Sequence, residues 1–245
     1  MSVFTPRRAS LPAVRRNPPS PGFGETGYRL GGALVLVLAA ALGVSAQSSK
    51  LTDPSQLTET APDVFRARFE SSKGPFVIEV HREWAPIGAD RFYNLVKNGF
   101  YDGTRFFRVR PGFMAQYGLN GDPNIQAAWQ RASLRDEPPM KSNTRGYVSF
   151  AKESLPNTRF TQIFINYTDN SYLDQQGFAP FGQVVTGMEI VDKLFGPARE
   201  NEPDQRRILR EGNGYLQKEF PQLDFVKKAT IVPGGQGAPA PRRPS

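Results

Sequence analysis

Between residues 104 and 186 the chain never stays apolar for more than a few residues before a glycine, a proline or a polar side chain interrupts it. FFRVRP, FMAQYG, GYVSFA, QIFIN and FAPFGQVV follow one another in this stretch. Such punctuation leaves no room for long helices and predicts short strands joined by tight turns, as in an all-β barrel or sandwich. With 38% hydrophobic residues and 18 phenylalanines, the chain can still bury a large aromatic core.

The flanking segments extend this pattern. VFRARFE, from Val64, places Phe65, Ala67 and Phe69 on one face and Arg66 and Arg68 on the other, which is strand period. Ser71 to Pro75 reads as a turn, and FVIEVH (76–81) as the partner strand of a hairpin. A helix is predicted from Pro86, with Ala89, Phe92, Leu95 and Val96 on one stripe and Gly99 as its stop. A second helix is predicted from Gly187 through Phe195. Residues 197–226 form a charged insertion, partly helical around 204–219, and KKATIV (227–232) reads as a closing strand. Residues 47–61 are Ser/Thr/Gln-rich and read as a linker, and 233–245 as a disordered Pro/Gly tail.

Composition removes several classes of chemistry. With no cysteine and only His81, the chain offers no cysteine nucleophile, no disulfide framework and no His/Cys zinc set. A Ser-His-Asp arrangement would have to use His81, which is read here as an ordinary strand-end histidine. The net charge of +8 divides into two equal parts. Residues 1–46 hold five of the 31 basic residues and one of the 23 acids, so the remainder carries only +4. No Lys/Arg run interleaved with aromatics is present, and nucleic-acid binding is not expected.

Residues 30–46, LGGALVLVLAAALGVSA, are uncharged and apolar, follow Arg29 and end in small residues. This is the pattern of a secretory signal peptide covering 1–46, with Gln47 as the mature start. An uncleaved N-terminal anchor is the alternative reading. The 29-residue lead is longer than the usual n-region, as a start codon assigned too far upstream would make it. Export is expected, to the periplasm first, with membrane anchoring or secretion as alternatives.

FFRVRPGFMAQYG (106–118) resembles the central motif of cyclophilins, the peptidyl-prolyl cis-trans isomerases. NLVKNGFYDGTRF (94–106), PNTRFTQIFI (156–165) and SYLDQQGFAPFGQVVTGMEIVDKL (171–194) resemble further segments of the same family, in the same order. The resemblance spans about 64–232 and implies a mostly β fold. The expected form is a closed eight-stranded antiparallel barrel capped by two α-helices, with the insertion added near the C-terminus. It implies catalysis by Arg108 with Gln116, a proline pocket of Phe113, Met114, Phe164 and Leu173, and groove positions at Ala151, Gln162, Tyr172 and Phe178.

The chemistry suits that set. Amide rotation is opposed by about 18–20 kcal/mol because the C–N bond has partial double-bond character. Speeding it requires no metal, cofactor or nucleophile, only a donor aimed at the prolyl nitrogen and a dry pocket for the ring. Three places depart from the family pattern. Tyr172 stands where many members carry tryptophan, which predicts weak cyclosporin binding. Phe178 stands where several carry histidine, and the loop AKESLPNTRF has an extra residue, with Lys152 or Glu153 at a substrate-contacting position. The expected partners are proline-containing unfolded segments, met by a monomer. The alternative is a cyclophilin-fold module that binds such segments without turnover.

Overall fold

The computed structural model describes residues 50–232. The apolar run 30–46 and the tail 233–245, with their roles as signal peptide and disordered end, lie outside the described residues.

Strand β1 (Val64–Ser71) alternates as its sequence does, burying Phe65, Ala67, Phe69 and Ser71. It pairs antiparallel with β2 (Gly74–His81), which sets Phe69 opposite Phe76, their rings stacked at 5.1 Å. Helix α1 (Pro86–Lys97) opens on proline and lays Ala89, Phe92, Leu95 and Val96 into the core. Phe92 packs against Phe65 and Phe69 of the first strand and against Phe181, so one helical residue joins aromatic surface from two strands. No side chain of its own caps this helix. Glu137 does so from a distant loop, accepting from the Ile87 N–H at 2.6 Å and the Gly88 N–H at 3.0 Å.

The remaining strands are β3 (Arg108–Arg110), β4 (Met114–Tyr117), β5 (Tyr147–Phe150), β6 (Ile163–Asn166), β7 (Pro180–Thr186) and β8 (Val226–Val232). All eight form one sheet, in the order β3-β4-β6-β5-β7-β2-β1-β8, and every pairing is antiparallel. The mostly β architecture agrees with the sequence reading. Closure as a full barrel does not: the ladder stops at β3 and β8, leaving an open, curled sheet. The chain crosses that gap just before β3, at a single Arg105/Phe225 bridge. Gly103 donates to the Val226 carbonyl at 2.8 Å and Phe106 to the Asp224 carbonyl at 2.9 Å. Within β3, Arg108 and Arg110 face Glu202 of the insertion, while Val109 turns into the main core.

Beyond the helix from Pro86, the described residues hold the helix expected after Gly187, the one expected in the insertion, and one that was not expected. Helix α2 (Pro123–Trp129) was not anticipated from periodicity, although Asp122 caps it and Pro123 opens it. Helix α3 (Met188–Val191) is a single turn of the helix expected after Gly187. Helix α4 (Gln205–Glu219) occupies the insertion, capped by Asp204 and kinked at Gly212, whose φ of 57° and ψ of −143° break the helix. A side chain at Gly212 would strike the Gly121 carbonyl, which instead accepts from the Asn213 N–H at 3.0 Å. Within 50–61, expected as linker, Leu51, Leu57 and Ala61 are buried in the main core, and the Leu51 carbonyl accepts from the Trp129 indole. Polar composition hid three apolar anchors there.

Candidate active site

Strand period decides which residues meet on the outer face of the sheet. In β4, Ala115 and Tyr117 belong to the main core, so Met114 and Gln116 face the other way. In β6, Ile163 and Ile165 are core while Phe164 turns outward. Register then sets Arg108 opposite Gln116, and Gln116 opposite Phe164. Met114, Phe164 and Leu173 form a separate buried apolar cluster, with Phe113, Ala151 and Phe178 packed around it.

These residues line a cavity of about 270 Å³. A polar chain runs along one side. Arg108 Nη1 donates to Gln116 Oε1 at 2.9 Å, and Gln116 Nε2 donates to Gln162 Oε1 at 2.8 Å. The Arg108 guanidinium also lies 5.8 Å from the centre of the Phe113 ring. Burial pulls the Arg108 pKa below the ordinary arginine value, and repulsion from Arg110 adds to this, with Glu202 opposing. Arginine starts so high that the group stays a cation at neutral pH.

Leu173 comes from a 3-10 turn, Ser171–Gln176, that ends on Gly177 in left-handed conformation. Asp174 ties this turn down. It accepts from the Asn143 N–H at 2.9 Å, the Asn143 side-chain amide at 2.7 Å and the Ser142 hydroxyl at 2.5 Å. Burial works to raise the Asp174 pKa, but the bonds from Ser142 and Asn143 together outweigh it, and the net shift is downward. Asn143 also donates to the Phe178 carbonyl at 2.8 Å, so one asparagine fixes both ends of the wall that carries Leu173 and Phe178.

Nine of the ten residues singled out from sequence line the cavity: Arg108, Phe113, Met114, Gln116, Ala151, Gln162, Phe164, Leu173 and Phe178. Tyr172 does not. It is 53% exposed, because neighbours on a 3-10 turn point about 120° apart and Leu173 takes the inward position. The altered loop contributes Lys152, Glu153, Thr158 and Phe160 to the lining. That loop is tied by an Asn157–Asp136 pair of backbone-to-side-chain bonds and by Thr158 bonding the Leu155 carbonyl at 2.8 Å. Sequence reasoning missed Gln205, at the start of α4, which also lines the cavity. Asp204 advertised a helix start, yet nothing local said where that helix would dock. His81 is elsewhere, stacked on Trp84 at 4.1 Å and bonded to Glu79.

Comparison with known proteins gives the family and the fold. Residues 66–211 match the family model described as cyclophilin type peptidyl-prolyl cis-trans isomerase/CLD. A peptidyl-prolyl cis-trans isomerase of Acinetobacter baylyi is 38% identical over 130 residues, which are 51% of this chain and 69% of that protein. Peptidyl-prolyl cis-trans isomerase B of Escherichia coli is 33% identical over 172 residues, covering 67% of this chain and 97% of its own length. Among solved structures, a cyclophilin-type isomerase of Cryptosporidium parvum shares the fold, with a TM-score of 0.53 and 19% identity over 70% of this chain and 99% of its own. With its family-specific motif placed on one face of an eight-stranded antiparallel sheet, and the match covering more than half its length, this chain belongs to the cyclophilin-type peptidyl-prolyl cis-trans isomerase family.

Proposed function

We propose that the chain accelerates rotation about Xaa-Pro bonds in exported proteins, with Arg108 stabilising the twisted amide above an apolar proline pocket. One observation carries this reading: a permanent cation bonded to Gln116 at the edge of a cavity walled by Phe113, Met114, Phe164 and Leu173. As the amide twists, resonance is lost and the lone pair returns to the prolyl nitrogen. A guanidinium N–H aimed there is worth more in the transition state than in either planar ground state, which is what acceleration requires. Arginine has five N–H groups, and the bond to Gln116 engages one of them. Aromatic and thioether walls hold the ring without offering competing hydrogen bonds. In this reading Gln116 bonds the substrate backbone on the residue before proline, while Gln162, which accepts from Gln116, lines the groove.

The substrate class follows from the pocket: proline-containing segments that are unfolded or exposed. A solved Cryptosporidium parvum cyclophilin-type isomerase similar in fold was crystallised in the presence of the dipeptide Ala-Pro. Residues 1–46 are read as an export signal, to the periplasm first, with anchoring or secretion as alternatives. The protein acts as a monomer and binds cyclosporin weakly, given the exposed Tyr172 at a position where many members carry tryptophan.

Exchange spectroscopy on short Xaa-Pro peptides tests the reading. Added protein should broaden and exchange the cis and trans signals at catalytic ratios of enzyme to peptide. If several peptides bind yet exchange at the uncatalysed rate, the groove is a recognition surface and the isomerase reading falls.

A further inference from the structure

Arg108 and Arg110 are two apart on β3, so both project from one face, and Arg110 disfavours the charge on Arg108. The insertion places a carboxylate against both. Glu202 accepts two bonds from Arg110, from Nε at 2.6 Å and from Nη2 at 2.7 Å. Its Oε2 stands 3.8 Å from Arg108 Nε, outside hydrogen-bond distance. The three side chains are only 16–25% exposed, so their mutual electrostatics are less screened than those of a surface pair.

Glu202 is not there by chance of a loose loop. Asp204, two residues on, receives a bond from the Arg206 N–H and gives its own N–H to the Tyr215 hydroxyl. Ile208, Tyr215 and Leu216 of α4 pack with Leu223 on Phe107 and Leu119, forming a small core of their own. Phe107 is the residue next to Arg108, so the core that docks the insertion also braces the strand carrying the cation. Gln205 extends the insertion to the cavity itself.

We propose that Glu202 is a positioning residue for Arg108, and that Arg110 keeps that carboxylate from capturing and neutralising it. This inference rests on the reading of Arg108 as the transition-state donor. Held on one side by the bond to Gln116, the guanidinium is drawn on the other toward a carboxylate whose oxygens Arg110 already occupies. Without Arg110, Glu202 is free to form a two-bond pair with Arg108 and pull it off the cavity. Without Glu202, Arg108 keeps Gln116 but faces the unneutralised charge of Arg110.

The two single variants and the double variant therefore do not combine additively. In the full chain, assayed by peptide exchange, Arg110→Gln should lower turnover about ten-fold with KM little changed, because a captured cation loses transition-state contact while the proline pocket is intact. Glu202→Gln should cost about three-fold, because Arg108 then loses the carboxylate that draws it and faces the unneutralised charge of Arg110. The double variant should recover at least to the level of Glu202→Gln, since no carboxylate is left to capture Arg108 and no Arg110 charge is left to repel it. An ion pair with a merely structural role predicts the opposite, a double variant no better than the worse single one, with activity tracking thermal midpoint. That outcome, or wild-type turnover in Arg110→Gln, overturns the proposal. Arg108→Ala in the same assay separates the levels. If it abolishes exchange while the Arg110 and Glu202 variants match wild type, this inference alone falls. If it leaves exchange intact, the reading of Arg108 falls with it.

Discussion

Glu137 serves two masters with one carboxylate: it caps α1 at two backbone N–H groups and pairs with Arg159 Nη1 at 2.9 Å. Arg159 is 1% exposed, and its other partners are the Arg135 carbonyl and, at 3.6 Å, Asp136. Replacing Glu137 by Gln leaves a buried cation short of its counter-charge, and should cost about 3 kcal/mol in urea denaturation. An unchanged denaturation midpoint would contradict that account. At the groove, Phe164 is 5% exposed and meets Phe178 edge-on at 5.7 Å. Phe164→Ala removes one wall of the proposed proline site and should lower kcat/KM about ten-fold, mostly through KM, since the lost interaction is apolar burial common to ground and transition states. A loss confined to kcat would mean that the ring acts on the rotating bond and not on binding. Most of these groove residues were legible because a short, dense motif carried them. Glu202 was not, since it lies 92 residues from its partner Arg110, in a stretch whose charges look like solvated surface.

Elements differ in how plainly the chain announces them. The β1–β2 hairpin was readable because a strict two-residue period met a Ser-Lys-Gly-Pro turn, and both signals are local. Helix α2 escaped because seven residues are too few to display a helical stripe, although Asp122 and Pro123 marked its start. The turn Ser171–Gln176 is a case where local chemistry predicts pH dependence. Asp174 has a folded pKa below its usual value, so its contribution is present above the unfolded pKa of about 3.9 and is lost as pH falls through the folded one. Asp136 and Glu79 are shifted the same way, each by hydrogen bonds and charge that outweigh burial. Stability should therefore decline as the solution is acidified from about pH 5 to pH 3, with a shallower slope in Asp174→Asn. Identical slopes in urea titrations of the two proteins would show that Asp174 is not a native-state acceptor.

At the scale of the whole molecule, one sheet serves two faces. Its inner residues, Phe65, Phe69, Phe76, Tyr117, Phe150 and Phe181 among them, fill a single aromatic core, and its outer face at β3, β4 and β6 carries the groove. The number of strands and their antiparallel sense could be anticipated from punctuation and family likeness. The open edge between β3 and β8 could not, because closure depends on how far strands shear past one another and no residue encodes that locally. The insertion is packed onto Phe107 and Leu119 and reaches the cavity through Gln205, so it belongs to the site as well as to the fold. Everything in the functional account converges on Arg108, and the most direct test is cis/trans exchange in an Xaa-Pro peptide with wild type, Arg108→Lys and Arg108→Ala. The account predicts a loss of about 10²-fold for alanine, with the fold intact, and an intermediate rate for lysine, which keeps the charge but not the planar fork. A folded Arg108→Ala protein that exchanges the peptide as fast as wild type would contradict it.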